Sequence, residues 1–266
     1  MNETKPIVQL PLWPETMRGL PNAVARSALF TVNYSDPRVN YSRQVIASQE
    51  GIDIVYTGEE LRTDDEDVLL QLIHLARLQP IGEPVTFASH AIIKALGWTI
   101  NTRSYERLYD TIVRMRATNV TIKFTDETGA WKEYHESLIA SAEHGGKDVR
   151  NKADSLWRIR FHKSVLVLFG ESSYTHLDWQ TRLKLPPLAK KLHSLYMSHE
   201  DPHGMPVAVL QTITGSRIKQ LKQFRYKLRE ALELLVDRKF LDNYVVDKAT
   251  DLVRVHRAPR LKSLEY

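Results

Sequence analysis

Residues 216–241 have the sequence SRIKQLKQFRYKLREALELLVDRKFL, which has one apolar face and one basic, amide-rich face when it is drawn as a helix. At about 100° per residue, the apolar side chains fall on one helical stripe: Leu221, Phe224, Leu228, Ala231, Leu232 and Leu235, with Ile218 at its edge. The polar side chains fall on the opposite side: Lys219, Gln220, Gln223, Tyr226 and Lys227, flanked by Lys222 and Arg229. The pattern predicts an amphipathic helix that begins at Ser216, a favourable N-cap residue.

The polar face of this helix carries side chains that can recognise nucleic acid. Glutamine can form two hydrogen bonds with an adenine edge, and lysine or arginine can bind a guanine edge or a phosphate. An ordinary surface helix, whose charges merely keep it solvated, has the same pattern. Whether this is a DNA-binding helix or an ordinary surface helix therefore depends on the segments that flank it.

Those segments predict a helix-turn-helix followed by a β-hairpin. Residues 206–212 (PVAVLQT) form a short predicted helix, and Gly215 lies in the turn that follows it. Residues 239–246 and 252–256 are apolar runs around a polar turn, which is typical of a hairpin. This is the order of a winged helix-turn-helix, in which the second helix enters the major groove and the hairpin contacts the neighbouring backbone.

A similar order is predicted in the first half of the chain. Residues 63–79 form a predicted helix that opens with a capping box of Thr63 and Glu66. Its apolar inner face comprises Val68, Leu72, Leu75 and Leu78. The acidic run from Glu59 to Asp67 places negative charge at the helix N-terminus, where it is favourable.

Two further helices and several strands follow. Thr86 is predicted to cap a second helix that stops near Gly97, and Asn101 or Thr102 opens a third. Alternating apolar residues predict strands over residues 120–124, 131–140 and 155–162. The sequence therefore predicts an α+β fold of two tandem winged-helix domains.

Length and composition set the predicted boundaries. A chain of 266 residues is long enough for two domains, each with its own core. The small polar run Gly170–Ser173 is the predicted joint, and Gly145–Lys152 is predicted to be a long loop inside the first domain. The expected units are an extended N-terminal arm over residues 1–20, a first domain over 21–172 and a second over 173–266.

Charge is divided unevenly across this joint. Residues 1–173 contain 20 basic and 22 acidic side chains, whereas residues 174–266 contain 17 basic and 10 acidic ones. The overall net charge of +5 thus conceals a net charge of +7 in the C-terminal part. A basic domain is the expected electrostatic signature of DNA binding, although a generic basic surface would bind DNA only non-specifically.

Several classes of site are excluded or disfavoured. The chain has no cysteine, which excludes disulfides, thiolate zinc sites and cysteine nucleophiles and fits a reducing cytosol. We find no apolar run of spanning length, no signal peptide and no complete phosphate-binding loop, and therefore expect a cytoplasmic protein. His199 and His203 have a metal-like spacing, but Pro202 and Gly204 predict a turn there. We expect no enzymatic activity, no metal and no cofactor.

Three segments resemble the plasmid replication initiators of the TrfA family. They are LPLWPETMRGLPNAVARSALF (Leu10–Phe30), GIDIVYTGEEL (Gly51–Leu61) and VLLQLIHLARLQPIGE (Val68–Glu83), and FASHAIIKALGW (Phe87–Trp98) continues the match. The resemblance spans nearly the whole chain and is strongest in the first half.

The resemblance implies a cytosolic bacterial protein that binds directly repeated sites, called iterons, at a plasmid origin. It implies opening of the neighbouring AT-rich duplex, with possible binding of the single strands, and recruitment of the host helicase and initiator. It also implies an inactive homodimer in equilibrium with a DNA-binding monomer, with the first domain as the dimer surface. Family members can carry a longer N-terminal region, and functions held there are not expected of this chain.

A short motif near the N-terminus resembles a peptide that docks on the bacterial sliding clamp. Gln9, Leu10, Leu12 and Trp13 match its pattern of an amide, two leucines and an aromatic ring. Apolar anchors and an intervening proline suit binding in a groove. The alternative is that Leu12 and Trp13 pack against the first domain.

The predicted function is sequence-specific and non-enzymatic initiation of plasmid replication. The candidate DNA-binding residues of the second domain are Arg217, Lys219, Gln220, Lys222, Gln223, Tyr226, Lys227, Arg254, His256, Arg257, Arg260 and Lys262. Those of the first domain are Arg103, Arg107, Arg114 and Arg116, which are expected to contact mainly the backbone. A winged-helix transcriptional repressor without origin-melting activity is the alternative, and a strand-cleaving nickase is a third hypothesis.

Overall fold

The computed structural model describes residues 9–34, 37–125, 129–146, 155–170 and 173–258. The strands are β1 (Met17–Pro21), β2 (Phe30–Thr31), β3 (Asn40–Ile46), β4 (Ile52–Glu59), β5 (Leu61–Arg62), β6 (Val85–Ala88), β7 (Asn119–Thr125), β8 (Trp131–Glu136), β9 (Ser141–Gly145), β10 (Leu156–Arg160), β11 (Tyr174–Asp178), β12 (Met205–Pro206), β13 (Leu241–Val246) and β14 (Leu252–Arg257). The α-helices are α1 (Asn22–Ala25), α2 (Thr63–Ala76), α3 (Ser89–Ala95), α4 (Thr102–Arg116), α5 (Trp179–Leu183), α6 (Pro187–Met197), α7 (Val207–Ile213) and α8 (Leu221–Asp237), and Lys163–Phe169 forms a 3-10 helix.

One arrangement of elements occurs twice. In each unit a helix is followed by a short strand, a second helix, a longer third helix and a hairpin: α2, β6, α3, α4 and β9–β10 in the first, and α6, β12, α7, α8 and β13–β14 in the second. The short strand pairs with the last strand of the hairpin both times, giving the orders β6-β10-β9 and β12-β14-β13. Gly97 and Gly215, with φ of +67° and +64°, lie between the second and third helices. Glycine adopts this left-handed conformation without steric penalty. The predicted α+β class is confirmed.

The hairpin β7–β8 is an insertion in the first unit rather than part of its repeated hairpin. It extends a separate four-stranded sheet with the order β3-β4-β7-β8. Ile54, Ile122 and Tyr134 lie in register across three of its strands and are buried. The predicted return strand over residues 131–140 is shorter than expected, because β8 ends at Glu136 and the next strand, β9, begins only at Ser141. The turn at residues 126–128 and most of the predicted loop Gly145–Lys152 lie outside the described residues.

Helix α8 begins five residues later than the sequence predicts. Ser216 is not its N-cap, since the helix starts at Leu221 after Gln220. The backbone N–H of Arg217 donates to Asn33 Oδ1 at 3.0 Å, and Gln211 Nε2 donates to the Ile218 carbonyl at 2.6 Å. These hydrogen bonds hold the segment outside the helix.

Two other predicted helix caps are also wrong, although α2 itself starts at Thr63 as predicted. The cap of α2 uses Asp65, whose Oδ2 accepts the Arg62 backbone N–H at 2.8 Å, instead of the predicted pair Thr63 and Glu66. Thr86 lies in β6 and does not cap a helix, because α3 begins at Ser89. In contrast, Asn101 caps α4 as predicted, with Oδ1 accepting from the Ser104 N–H at 2.9 Å.

Helix α2 is a buried central helix rather than one with a single inner face. Its residues from Thr63 to His74 are all buried, whereas Leu78, predicted to lie inside, follows the helix and is 61% exposed. Strands β1, β2 and β5 and helices α3, α4 and α6 all contact it. A helix that is buried on all sides has no exposed polar face, so the spacing of its apolar residues does not show which side is buried.

Residues 9–21 belong to the first unit and do not form a free arm, and residues 1–8 of the predicted arm lie outside the described residues. Leu10 and Trp13 are buried in the first core, and β1 pairs antiparallel with β11, placing Met17 opposite Asp178. The first core extends to Trp179, and the second begins at Leu185. The two cores therefore meet at residues 180–184 and not at the predicted joint after residue 172.

A buried ionic cluster connects the two units. Arg182, which is fully buried, donates from Nη2 to Glu66 Oε2 and from Nε to Asp67 Oδ1, both at 2.7 Å. Its third hydrogen bond goes from Nη1 to Ser194 Oγ in α6, at 2.7 Å. Lys190, also in α6, donates to the other oxygen of Asp67. The Glu66 and Asp67 carboxylates of α2 are thus neutralised by cations from the start of the second unit.

Further polar contacts extend this interface. Asn33 Nδ2 donates to the Gly215 carbonyl at 2.8 Å, next to the start of α8. Arg26 donates to Ser198, and His199 Nε2 lies 2.8 Å from Gln49 Oε1. The units are therefore packed on each other and are not joined by a loose linker.

Replacing Arg182 with alanine should lower the free energy of unfolding by about 3–5 kcal/mol, because Glu66 and Asp67 would remain buried without their partner. Urea denaturation measures this directly. Arg116→Ala, which removes an exposed arginine, serves as the control and should change stability by less than about 0.5 kcal/mol. Equal stabilities of the two variants would contradict the structural role given to Arg182.

Candidate nucleic-acid interface

The N-terminal half of α8 presents a basic, amide-rich face to solvent. Lys222, Gln223, Tyr226 and Lys227 are exposed on it, and Lys219 and Gln220 are exposed just before the helix. On the other side Phe224, Leu228, Ala231, Leu232 and Leu235 are buried in the second core. The predicted apolar stripe is confirmed, and it fixes which side chains point outward.

Charge changes sign along the exposed side of α8. The C-terminal half carries Glu230, Glu233 and Asp237, and Lys227 Nζ lies 2.8 Å from Glu230 Oε2. The positive end of the helix dipole coincides with the basic half. An anion is therefore attracted to the first two turns and repelled from the last two.

The hairpin β13–β14 adds a second basic surface. Arg254 and His256 are exposed on β14, as predicted, and Lys248 is exposed in the turn. Asp247 Oδ1 organises that turn by accepting the N–H groups of Ala249 at 2.8 Å and Thr250 at 3.1 Å. Lys248 is not among the predicted contacts, although its place in the predicted polar turn is a signal that the sequence contains.

Some predicted contacts of the second unit are engaged elsewhere. Arg217 pairs with Glu60 of the first unit, and its exposed fraction is 31%. Arg257 donates to the Glu200 carbonyl. The interface between the units therefore holds the Arg217 guanidinium, and its contact with DNA stays a prediction. Arg260 and Lys262 lie outside the described residues.

The predicted basic face of the first unit is only partly available. Arg107 binds Asp64 and lies 4.0 Å over the Trp98 ring, and Arg114 binds Glu59 and Asp65. These two arginines neutralise carboxylates of the protein itself. The exposed arginines of α4 are Arg103 and Arg116, and the acidic residues Glu106 and Asp110 are exposed between them.

The proposed clamp-binding motif is folded into the first core. Trp13 is 4% exposed, its Nε1 donates to His74 Nδ1 at 3.0 Å, and its ring stacks on Phe169 at 6.0 Å. Gln9 Nε2 donates to the Arg77 carbonyl at 2.6 Å. Leu10 is buried as well, whereas Leu12 is 69% exposed. In this conformation the motif cannot present its aromatic anchor, and the packing alternative describes Trp13 correctly.

The fold and surface define an α+β protein whose second unit exposes a basic helix and a basic hairpin. The chain belongs to the TrfA family, since the family model described as "TrfA protein" matches residues 4–257. The plasmid replication initiator protein TrfA of Escherichia coli is 34% identical over 227 residues, which cover 84% of this chain. The chain spans 58% of the length of that relative.

The fold is also similar to crystal structures of domains 2 and 3 of RctB. One of them, from a selenomethionine derivative, has a TM-score of 0.63 and 15% identity, with 91% of this chain and 99% of the RctB chain covered. A second has a TM-score of 0.55 and 14% identity, with 85% and 92% covered. At this identity the similarity concerns the fold alone.

Membrane-spanning helices and metal-binding clusters were also searched for in the structure. Within the described residues, no helix is long and apolar enough to cross a membrane. In the same part of the chain, no group of three or more metal-ligating side chains is placed to hold a metal ion.

The burial of Trp13 predicts a structural role that Leu12 lacks. Trp13→Ala should lower the free energy of unfolding by about 3–5 kcal/mol, because it leaves a large cavity, and it leaves His74 without its indole donor. Leu12→Ala, the control on the neighbouring exposed residue, should change stability by less than about 0.5 kcal/mol. Thermal melting of both variants checks this, and normal melting of Trp13→Ala would restore the docking peptide as the better interpretation.

Proposed function

We propose that the protein is a non-enzymatic plasmid replication initiator that binds iteron repeats at an origin through its second unit. The observation that carries the proposal is the basic, amide-rich half of α8, exposed on a helix-turn-helix and flanked by a basic hairpin. Family membership and the name of the E. coli relative support the same function. The working location of such a protein is the bacterial cytoplasm.

Both units are proposed to be winged-helix domains, with α8 and α4 as their major-groove helices. In this arrangement α8 reads bases through Gln220, Gln223 and Lys222, and the hairpin binds phosphates through Lys248 and Arg254. The predominance of the second unit is supported by the net charge of +7 over residues 174–266, compared with −2 for residues 1–173.

The first unit is proposed to make a weaker, mainly backbone contact. Arg103 and Arg116 are the exposed arginines of α4, because Arg107 and Arg114 are paired internally. The packed interface would hold α4 and α8 at one separation, about one helical turn, or roughly 10 bp, along one face of the duplex. A fixed separation suits a site of constant length.

Binding to the origin is proposed to open the adjacent AT-rich duplex and to recruit host replication proteins. Recruitment through Leu10 and Trp13 is not part of this proposal, because both side chains are buried. Leu12 is exposed, so a partner can reach this leucine without unfolding the segment.

Footprinting on cloned origin DNA, combined with permanganate probing of unpaired thymines, tests the proposed function. We expect protection of repeated sites and reactive thymines in the neighbouring AT-rich segment. Protection without reactive thymines would support a repressor, and a nick in supercoiled DNA would support an enzyme. The absence of any specific footprint would contradict the proposal as a whole.

The exposed face of α8 predicts which substitution alters base recognition. Gln223→Ala should weaken binding to the specific site by about 1–3 kcal/mol and binding to random DNA much less, because it removes base contacts and no charge. Asp237→Asn on the acidic half of the same helix is the control and should leave the difference between the two DNAs unchanged. Titrations at one salt concentration measure both affinities, and an equal loss on both DNAs would show that Gln223 does not read bases.

A further inference from the structure

Asp251 lies where three elements of the second unit meet. It precedes β14 in the hairpin turn, and its backbone carbonyl accepts the N–H of Val207, the first residue of α7, at 3.0 Å. Its carboxylate accepts from Arg225 in α8, with Nε to Oδ1 at 2.8 Å and Nη2 to Oδ2 at 2.7 Å. One residue therefore links the hairpin turn to both helices of the helix-turn-helix.

The backbone at this position is unusual for a residue with a side chain. Asp251 has φ of +56°, in the left-handed region that asparagine and aspartate tolerate better than most residues. The next residue, Leu252, pairs with Pro206 of β12. The turn is thus held at its start by the Asp247 carboxylate and at its end by Asp251.

The pair with Arg225 is two-pronged and only partly exposed. The side chains of Arg225 and Asp251 are 29% and 34% exposed. The Nε and Nη2 atoms of the guanidinium each donate to one carboxylate oxygen. The bond from Arg225 lowers the pKa of Asp251, so this carboxylate is ionised at neutral pH. Two parallel hydrogen bonds fix direction as well as distance, which a single-point contact does not.

We propose that the Arg225–Asp251 pair sets the position of the hairpin β13–β14 relative to α8, so that helix and hairpin bind one DNA site together. This inference rests on the proposed function and adds a positioning device to it. Arg225 lies on α8 between the exposed Lys222 and Arg229, yet its charge is neutralised by Asp251. Its role is therefore to orient the hairpin and not to attract phosphates.

Asp251→Asn tests the proposal, because the loss of positioning and the change in net charge should shift the affinity for DNA in opposite directions. Asparagine has nearly the same shape and tolerates the same backbone region, so the fold should be retained. The substitution makes the protein more positive by one charge, which alone would strengthen binding to DNA. Loss of positioning should instead weaken binding to the specific site by about fivefold, the factor that corresponds to the upper value for an exposed ion pair.

The footprint supplies a readout that separates positioning from stability. We expect the protection on the hairpin side of the site to be lost in Asp251→Asn, while protection by α8 is retained and binding to random DNA is equal or tighter. Glu133→Gln is the matched control, since it removes the carboxylate of the exposed pair Lys123–Glu133 in the first unit. It should leave the footprint unchanged.

A double substitution completes the test. If the pair acts as a unit, Arg225→Gln with Asp251→Asn should be no weaker than either single variant. Unchanged or tighter specific binding with full protection in Asp251→Asn would overturn the inference, as would a large fall in melting temperature with loss of the whole footprint. A wild-type protein that gives no specific footprint would instead refute the proposed function.

Discussion

Four consecutive carboxylates at the start of α2, Asp64 to Asp67, are buried, and the surrounding structure is organised to neutralise them. A buried charge without a partner costs several kcal/mol, so each carboxylate needs a cation or other hydrogen-bond donors nearby. The chain supplies the cations from three separate regions: Arg38, Arg107, Arg114, Arg182 and Lys190. The segment before β3, helix α4 and the segment α5–α6 are consequently held at one end of a single helix.

The same cluster determines how the second unit sits on the first. Arg182 and Lys190 belong to the segment that leads into the second core, so neutralising α2 also places α6. The pair of Arg217 with Glu60 then fixes the chain just before α8. Because its start is tied to the other unit, α8 has little freedom to rotate away from that unit.

Basic side chains of α4 in the first unit pair with internal carboxylates, whereas several in the second unit are exposed. In the first unit Arg107 and Arg114 satisfy internal carboxylates, which agrees with its slight net negative charge. In the second unit the apolar core anchors α8, and the ion pairs of its basic half, Arg225–Asp251 and Lys227–Glu230, lie within the unit. Lys222 and Lys248 are exposed to solvent. The basic surface of a TrfA-family protein is thus concentrated on one helix and one hairpin.

The sequence by itself determined the elements whose signal is local. The stripe of α8, the alternation of β7, the Asn101 cap and the hairpin β13–β14 follow from periodicity and capping, which depend on residues only a few positions apart. The tertiary structure alone decided where α8 begins, that Trp13 is buried, and that Arg107, Arg114 and Arg217 are engaged internally. Each of these outcomes depends on partners distant in sequence, such as Asn33 for Arg217 and His74 for Trp13. A basic residue looks the same in sequence whether its partner is a phosphate or a buried carboxylate, and only the folded chain brings the carboxylate within reach.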